Sequence, residues 1–249
     1  MDIVLRDNER IDDLEFNGYK IIQDNNGFCF GIDAILLSDF ARDIRNNSIV
    51  ADLCTGTGII SILLAGKTQA KKIYGVEIQE SVADMASRSV KLNNLEDKIR
   101  IVNDDLNNLT ASFDLGSFDA IVTNPPYMKP NSGLTNLSKE KLISRHEVMC
   151  SLENVISVSC KLLKNSGSFY MVHRPDRLVD IMFLLRKYKL EPKILRFVQP
   201  FANRAPNLLL VKAVKNSKAF LKMVNPLIVY NNDNSYTDEI LKIYGKERK

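Results

Sequence analysis

Residues 50–60, Val-Ala-Asp-Leu-Cys-Thr-Gly-Thr-Gly-Ile-Ile, limit the fold more than any other stretch. An apolar run breaks at Gly56 and Gly58 and resumes through Ile62, Leu63 and Leu64. This spells a buried strand, a tight turn and a helix starting near Gly58. Apolar strands at Ile73–Glu77 and Ile99–Asn103 follow at helix-length spacing. The alternation continues with helices over Asp33 to Phe40 (capped by Asp33), Leu152 to Lys164 and Asp176 to Tyr188, and a strand at Ser168–Val172. Strands Ile194–Val198 and Leu208–Val214 have only Gln199–Asn207 between them, so they should form an antiparallel hairpin. An α/β architecture is therefore expected, with a mostly parallel sheet and helices on both faces. Leu227–Tyr230 is a further strand candidate, and Thr237 would cap a short final helix.

With 249 residues, 45% hydrophobic and 26% charged, the chain suits one globular domain with small additions. The N-terminus lacks a basic leader, and no apolar run approaches eighteen residues, so a cytoplasmic location is expected and no membrane association. Cys29, Cys54, Cys150 and Cys160 are far apart and accompanied by two histidines, which argues against zinc or any other metal and leaves small buried or partly buried thiols.

The strand ends carry the first chemical signal. Gly56 and Gly58 let the backbone approach a ligand at a helix N-terminus. Asp52 is placed to meet an ammonium group, Glu77 to hold ribose hydroxyls, and Asp105, in Asp104-Asp105-Leu106, to accept from an adenine amine. A dinucleotide fingerprint would need a third glycine, and a triphosphate site a lysine after Gly58; neither is present.

The second signal is Ile121-Val122-Thr123-Asn124-Pro125-Pro126-Tyr127, an apolar run ending in Asn-Pro-Pro-Tyr. An exocyclic amine is a poor nucleophile because its lone pair is delocalised into the ring. The Asn124 side-chain oxygen and the Pro125 carbonyl, projected by Pro126, supply two acceptors for its hydrogens. Those dipoles stabilise the positive charge that grows on nitrogen as it is alkylated. Tyr127 offers a ring face for stacking a base. No general base is needed, because the alkylated ammonium loses its proton readily.

With these motifs the chain resembles the Rossmann-like, S-adenosylmethionine-dependent amino-methyltransferases of class I. More narrowly, residues 27–37, Asn124 to Lys129, Arg145-His146-Glu147 and Val172-His173-Arg174-Pro175 look like the bacterial valine-tRNA adenine-37 N6-methyltransferases. The resemblance spans nearly the whole chain and implies a mostly parallel seven-stranded sheet ending in an antiparallel hairpin. It also implies one methyltransferase domain over 1–249: N-terminal strands and a helix over the cofactor in 1–47, a core in 48–215 and an extension in 216–249. S-adenosylmethionine would lie among Phe30, Gly31, Asp33, Asp52, Thr55, Gly56, Gly58, Glu77, Ile78, Asp104, Asp105, Leu106 and Asn124. Asn124, Pro125, Pro126 and Tyr127 would be catalytic, and Lys129, Arg145, His146, Arg174 and Arg204 would contact a tRNA substrate. One departure is Cys54, where the broader pattern often has glycine.

Charge agrees with a nucleic-acid partner. Residues 1–124 hold 12 Lys and Arg against 20 Asp and Glu, and residues 125–249 hold 22 against 10, an excess that begins at Asn-Pro-Pro-Tyr. A polyanion approaching the pocket would meet it. Met128 to Ser144, polar and carrying Pro130 and Gly133, suits a loop that orders over substrate. The same tetrapeptide serves protein glutamine N5-methyltransferases, and a ribosomal RNA guanine N2-methyltransferase fits the charge equally well; a DNA adenine methyltransferase is disfavoured because no segment resembles a separate target-recognition domain, and intact Asn124 and Pro125 argue against an inactive RNA-binding module. A monomer is favoured.

Overall fold

A computed structural model describes residues 4–27, 29–127 and 151–246. Strands β3 (Ile49–Leu53), β4 (Lys72–Glu77), β5 (Ile99–Asn103), β6 (Phe118–Thr123), β7 (Leu163–His173), β8 (Leu190–Gln199) and β9 (Leu208–Lys215) form the main sheet. Their spatial order is β5-β4-β3-β6-β7-β9-β8, and every neighbouring pair is parallel except those of β9, which runs antiparallel between β7 and β8. The expected seven strands and terminal hairpin are present. Two short strands, β10 (Lys222–Met223) and β11 (Leu227–Ile228), pair with β8 at the outer edge and bring the sheet to nine.

Side chains alternate across each strand, and the core divides accordingly. Val50, Ala120, Val122, Tyr170 and Val172 join one buried cluster with helices α1 (Ile32–Phe40) and α2 (Ile59–Lys67). Their chain neighbours Ala51, Leu53, Ile121, Phe169 and Met171 join the other, with α5 (Leu152–Leu162) and α6 (Leu178–Lys187). Burial on both faces explains why these strands read as unbroken apolar runs. Helix α3 (Glu80–Leu92) instead buries a stripe of Ala83, Ala86 and Val90, with Met85 and Ser89 beside it, and a short helix α4 spans Leu109–Ser112.

Three local differences from the sequence reading have physical causes. Helix α1 begins one residue earlier than expected, with Gly31 at its N-cap, so Asp33 lies inside the first turn and is not the cap. Strand β7 begins at Leu163, directly after α5, because residues 164–167 bulge between the pairs Phe118↔Leu163 and Ala120↔Ser168. Helix α6 is entered through a 3-10 turn at Pro175–Arg177. Helix α7 (Asp238–Ile243) has Thr237 as its cap, as expected, with Thr237 Oγ1 accepting from Ile240 N at 3.4 Å. No helix among the described residues is long and apolar enough to cross a membrane.

Strands β1 (Glu9–Asp13) and β2 (Lys20–Asp24) form a separate antiparallel pair. It sits on α3: Ile22 N donates to Ser89 Oγ at 2.9 Å, and Arg88 forks onto Glu9 at 2.6 and 2.7 Å. Buried Gln23 then accepts from Phe30 N at 2.9 Å, which delivers the start of α1 to the strand ends.

Candidate active site

Parity along the strands decides which side chains meet. Asp52 pairs in register with Gly75 and with Val122, so Asp52, Gly75, Glu77 and Asn124 all fall on the α1–α2 face. Cys54 (φ 60), Gly56 (φ 57) and Gly58 (φ 88) carry the chain from β3 to α2 through left-handed conformations. The value at Cys54 accounts for glycine being common there; cysteine holds the same conformation at a cost of roughly 1–2 kcal/mol.

Asp52 is fully buried, and its Oδ1 has no hydrogen-bond partner among the described residues. Its Oδ2 accepts from Thr55 Oγ1 at 2.6 Å, Ser61 Oγ at 2.8 Å and Ser61 N at 3.1 Å, clamping the turn to the helix it precedes. Burial pushes its carboxyl up to about 6, against the lowering effect of those donors. Thr55 is buried, with its hydroxyl turned toward Asp52. Gly75 makes room for this network: a Cβ there would lie 3.0 Å from Thr55 Oγ1 and 3.1 Å from Ser61 Oγ.

Glu77 accepts from Gly56 N at 3.0 Å through Oε2 and from Gln79 N at 3.0 Å through Oε1. Each oxygen keeps a lone pair for a hydroxyl. Asp104 is committed to its own loop, taking Asp105 N at 2.8 Å and Ser112 Oγ at 2.7 Å. Asp105 caps the next turn through Oδ1, with Asn107 N and Nδ2 both at 2.8 Å, and none of these bonds uses Oδ2. Ile78 is half-buried beside Glu77, whereas the Leu106 side chain lies in the core. A Cβ at Gly56 would meet nothing within 4 Å, so bare backbone faces open space between Glu77 and β3. Two strand-end carboxylates and an open glycine turn suit the hydroxyls and amine of an adenosyl group.

On the other side of the turn, the structure joins residues separated by more than ninety positions. Asp33 Oδ2 accepts from Asn124 Nδ2 at 3.2 Å and from Tyr127 OH at 3.1 Å, while Asp33 Oδ1 takes Ala34 N at 2.9 Å. A Cβ at Gly31 would come within 2.9 Å of that Oδ1. Tyr127 OH is also hydrogen-bonded to Asn124 Oδ1. Since a carboxylate only accepts, the Asn124 NH2 must face Asp33 and its Oδ1 must turn away. Asp33, read from sequence as a cofactor ligand, thus holds the first catalytic candidate. Burial and the Asp33 charge both raise the Tyr127 pKa, so the phenol stays protonated and donates. Pro125 is buried and Pro126 exposed beyond it.

His173, quoted in the sequence motif without a role, packs edge-on against Tyr127, with ring centroids 5.1 Å apart at 64°. Its Nδ1 accepts from Arg174 N at 2.8 Å, and burial, followed by nearby Arg177, lowers its pKa to about 4. It is therefore neutral at pH 7 with its proton on Nε2. Its place at the end of β7, beside the end of β6, was the available signal; Gln23 had none.

A family model described as the methyltransferase small domain matches residues 19–185, which include the glycine turn, Glu77, Asp105, Asn124 and His173. The chain belongs to that methyltransferase family. S-adenosylmethionine is accordingly its methyl donor. The methyltransferase is 28% identical over 204 residues to a Porphyromonas gingivalis protein named tRNA1(Val) (adenine(37)-N6)-methyltransferase, covering 80% of this chain and 79% of that one. A Haemophilus influenzae protein of the same name is 23% identical over 92% of this chain and 94% of its own. Among solved structures, a predicted O-methyltransferase from Agrobacterium tumefaciens superposes with a TM-score of 0.69 at 20% identity, covering 87% of this chain and 98% of that one. That likeness confirms the class I methyltransferase fold.

Of the residues expected to contact RNA, Lys129, Arg145 and His146 lie outside the described residues, as does the loop over Met128 to Ser144. Exposed Arg174 follows the C-terminal end of β7, and Arg204 lies in the β8–β9 turn at the same end of the sheet as Asn124. Among the described residues the basic excess does not gather there. Lys161, Lys164, Lys189, Lys193, Lys215 and Lys218 lie toward the opposite end, near the starts of β7 and β8, the last two because β9 runs back down the sheet, and Lys222 lies beside Ile194, halfway along β8. A footprint confined to the pocket is therefore corrected to one divided between both ends.

Proposed function

We propose that this methyltransferase methylates the exocyclic N6 of an adenine in tRNA, adenine 37 of a valine tRNA. The observation that carries the reading is Asn124, held by Asp33 in a single amide orientation at the end of β6, beside the glycine turn. The two relatives bearing that activity's name cover most of this chain and support the choice of RNA.

Glu77 would hold the ribose hydroxyls and Asp105 Oδ2 the adenine amine of the donor, with Ile78 beside them and Phe30 and Gly31 at its amino-acid end. When bound, S-adenosylmethionine supplies an electrophilic methyl carbon. The protein's own residues do the rest. Asn124 Oδ1 and the Pro125 carbonyl accept the two N–H bonds of the target amine and stabilise the positive charge growing on it. Tyr127 OH reaches both Asp33 Oδ2 and Asn124 Oδ1, and because an amide oxygen has two lone pairs Asn124 Oδ1 keeps one for the amine. The Tyr127 ring, braced by His173, provides a stacking surface. His173 is neutral and takes no proton from the reaction. An unpaired loop base enters at lower cost than one flipped from a duplex.

The test is methyl transfer from labelled S-adenosylmethionine to unmodified valine tRNA and to the same tRNA carrying guanine at position 37. N6-methyladenosine should appear after nuclease digestion of the first alone. Equal labelling of both RNAs, or label in neither, refutes the assignment. Asn124→Ala should lower turnover by roughly a hundredfold or more with donor affinity retained.

A further inference from the structure

From residue 192 to residue 232 the chain contains no acidic residue, while Lys193, Arg196, Arg204, Lys212, Lys215, Lys218 and Lys222 fall within it. This stretch builds the outer edge of the sheet. Strand β8 lies next to the edge, covered only by the two-residue strands β10 and β11. Arg204 is exposed at the end nearest the catalytic strand ends, exposed Lys218 lies toward the other, where Lys193 Nζ donates to Lys218 O at 2.8 Å, and exposed Lys222 lies between them, paired with Ile194 halfway along β8. Lys189 joins them, its carbonyl accepting from Asn216 N at 2.8 Å. Within the stretch, Arg196 is neutralised by Glu239 and Lys212 by Asp43. Lys189, Lys218 and Lys222 make no ion pair among the described residues. Between Lys218 and Lys222 stands Phe220, 77% exposed and held at φ 143, a conformation side chains rarely adopt.

We propose that this edge is a second RNA surface, which grips the tRNA body outside the anticodon loop while the loop occupies the cleft. The inference rests on the tRNA reading above. Ten residues of β8 span roughly 33 Å, so the edge offers a basic track running away from the pocket. Unpaired lysines along such a track bind phosphates by releasing counterions, and an exposed aromatic among them adds a face for an unpaired base. Edge lysines also discourage strand-to-strand association, and the experiment separates the two roles.

The triple variant Lys189→Gln, Lys218→Gln, Lys222→Gln is compared with wild type for binding to full-length tRNA and to the isolated anticodon stem-loop, across a salt series. The surface predicts a roughly tenfold to hundredfold loss of affinity for full tRNA near 0.15 M salt, and a log–log salt slope shallower by about 2 to 3. Affinity for the stem-loop, which extends along the edge no farther than Lys222, falls far less, and kcat at saturating tRNA stays the same. Unchanged affinity for full tRNA overturns the proposal, whether or not the variant self-associates. So does a loss confined to binding of phosphatidylserine vesicles. Wild-type protein that binds tRNA through these lysines yet methylates none would remove the proposed reaction and leave the surface standing.

Discussion

Asp33 sits where a single substitution tests the geometry of the whole site. Its Oδ2 receives two donors, from Asn124 and Tyr127, and hydrogen bonds to a charged acceptor contribute about 1.5–3 kcal/mol each. An Asn124 amide flipped in place would set its oxygen against that carboxylate, forfeiting about 3 kcal/mol and leaving the flipped form below roughly 1%. Asp33→Ala removes the shared acceptor, freeing the amide to rotate and shift; a displacement near 1 Å at a reacting centre can cost about a hundredfold. The expected result is a 10- to 100-fold fall in single-turnover methyl transfer, with donor affinity unchanged. Asp33→Asn should cost less than tenfold, because its amide oxygen can replace Oδ2 while its NH2 loses only the bond from Ala34 N. Donor binding would be followed by calorimetry and folding by thermal unfolding. Asp33→Ala transferring methyl within threefold of wild type would refute the positioning argument. Loss of donor affinity in parallel with turnover would return Asp33 to the cofactor-ligand role suggested by sequence.

Acidification should separate two buried groups with opposite linkage. The folded pKa of His173, about 4, lies below its ordinary value of 6.5, so its contribution is complete above pH 6.5 and about 3 kcal/mol is lost on descending to pH 4. The folded pKa of Asp52, about 6, lies above its ordinary 3.8, so the cost of burying its charge is fully present above pH 6 and is relieved, by about 3 kcal/mol, toward pH 4. In urea titrations Asp52→Asn should therefore lose stability more steeply than wild type between pH 6.5 and 4, and His173→Asn less steeply; parallel profiles for all three would disprove the assignment. Gly58→Ala should cost about 1–2 kcal/mol, since φ 88 disfavours a side chain and the new Cβ would lie 3.3 Å from Ala86 Cβ; a stable variant would mean the turn relaxes. Phe169→Ala, which empties a fully buried site between β7 and the α5–α6 layer, should cost about 3–5 kcal/mol while leaving Asn124 in place, so activity at a permissive temperature should persist.

Local patterns in the chain determined the strands, the helices, the glycine turn and the Asn-Pro-Pro-Tyr acceptors. Each depends on contacts within a few residues: unbroken apolar runs for strands buried on both faces, left-handed glycines for the turn, a proline that extends its predecessor. Even the strand face was legible, because side-chain direction alternates and Asp52, Glu77 and Asn124 share parity with their sheet neighbours. What tertiary structure alone decided was which distant groups meet. Asp33 and Asn124 touch across ninety-one positions only because strand order and the β2–α3 contact bring α1 to the end of β6. Likewise, one oxygen of Asp52 is taken up by the helix it precedes, through Ser61 N and Oγ, which no local pattern announces. Charge misled for the same reason. Lysines consecutive along the chain were carried to the far end of the sheet by the antiparallel return of β9, a reversal that a linear count does not register.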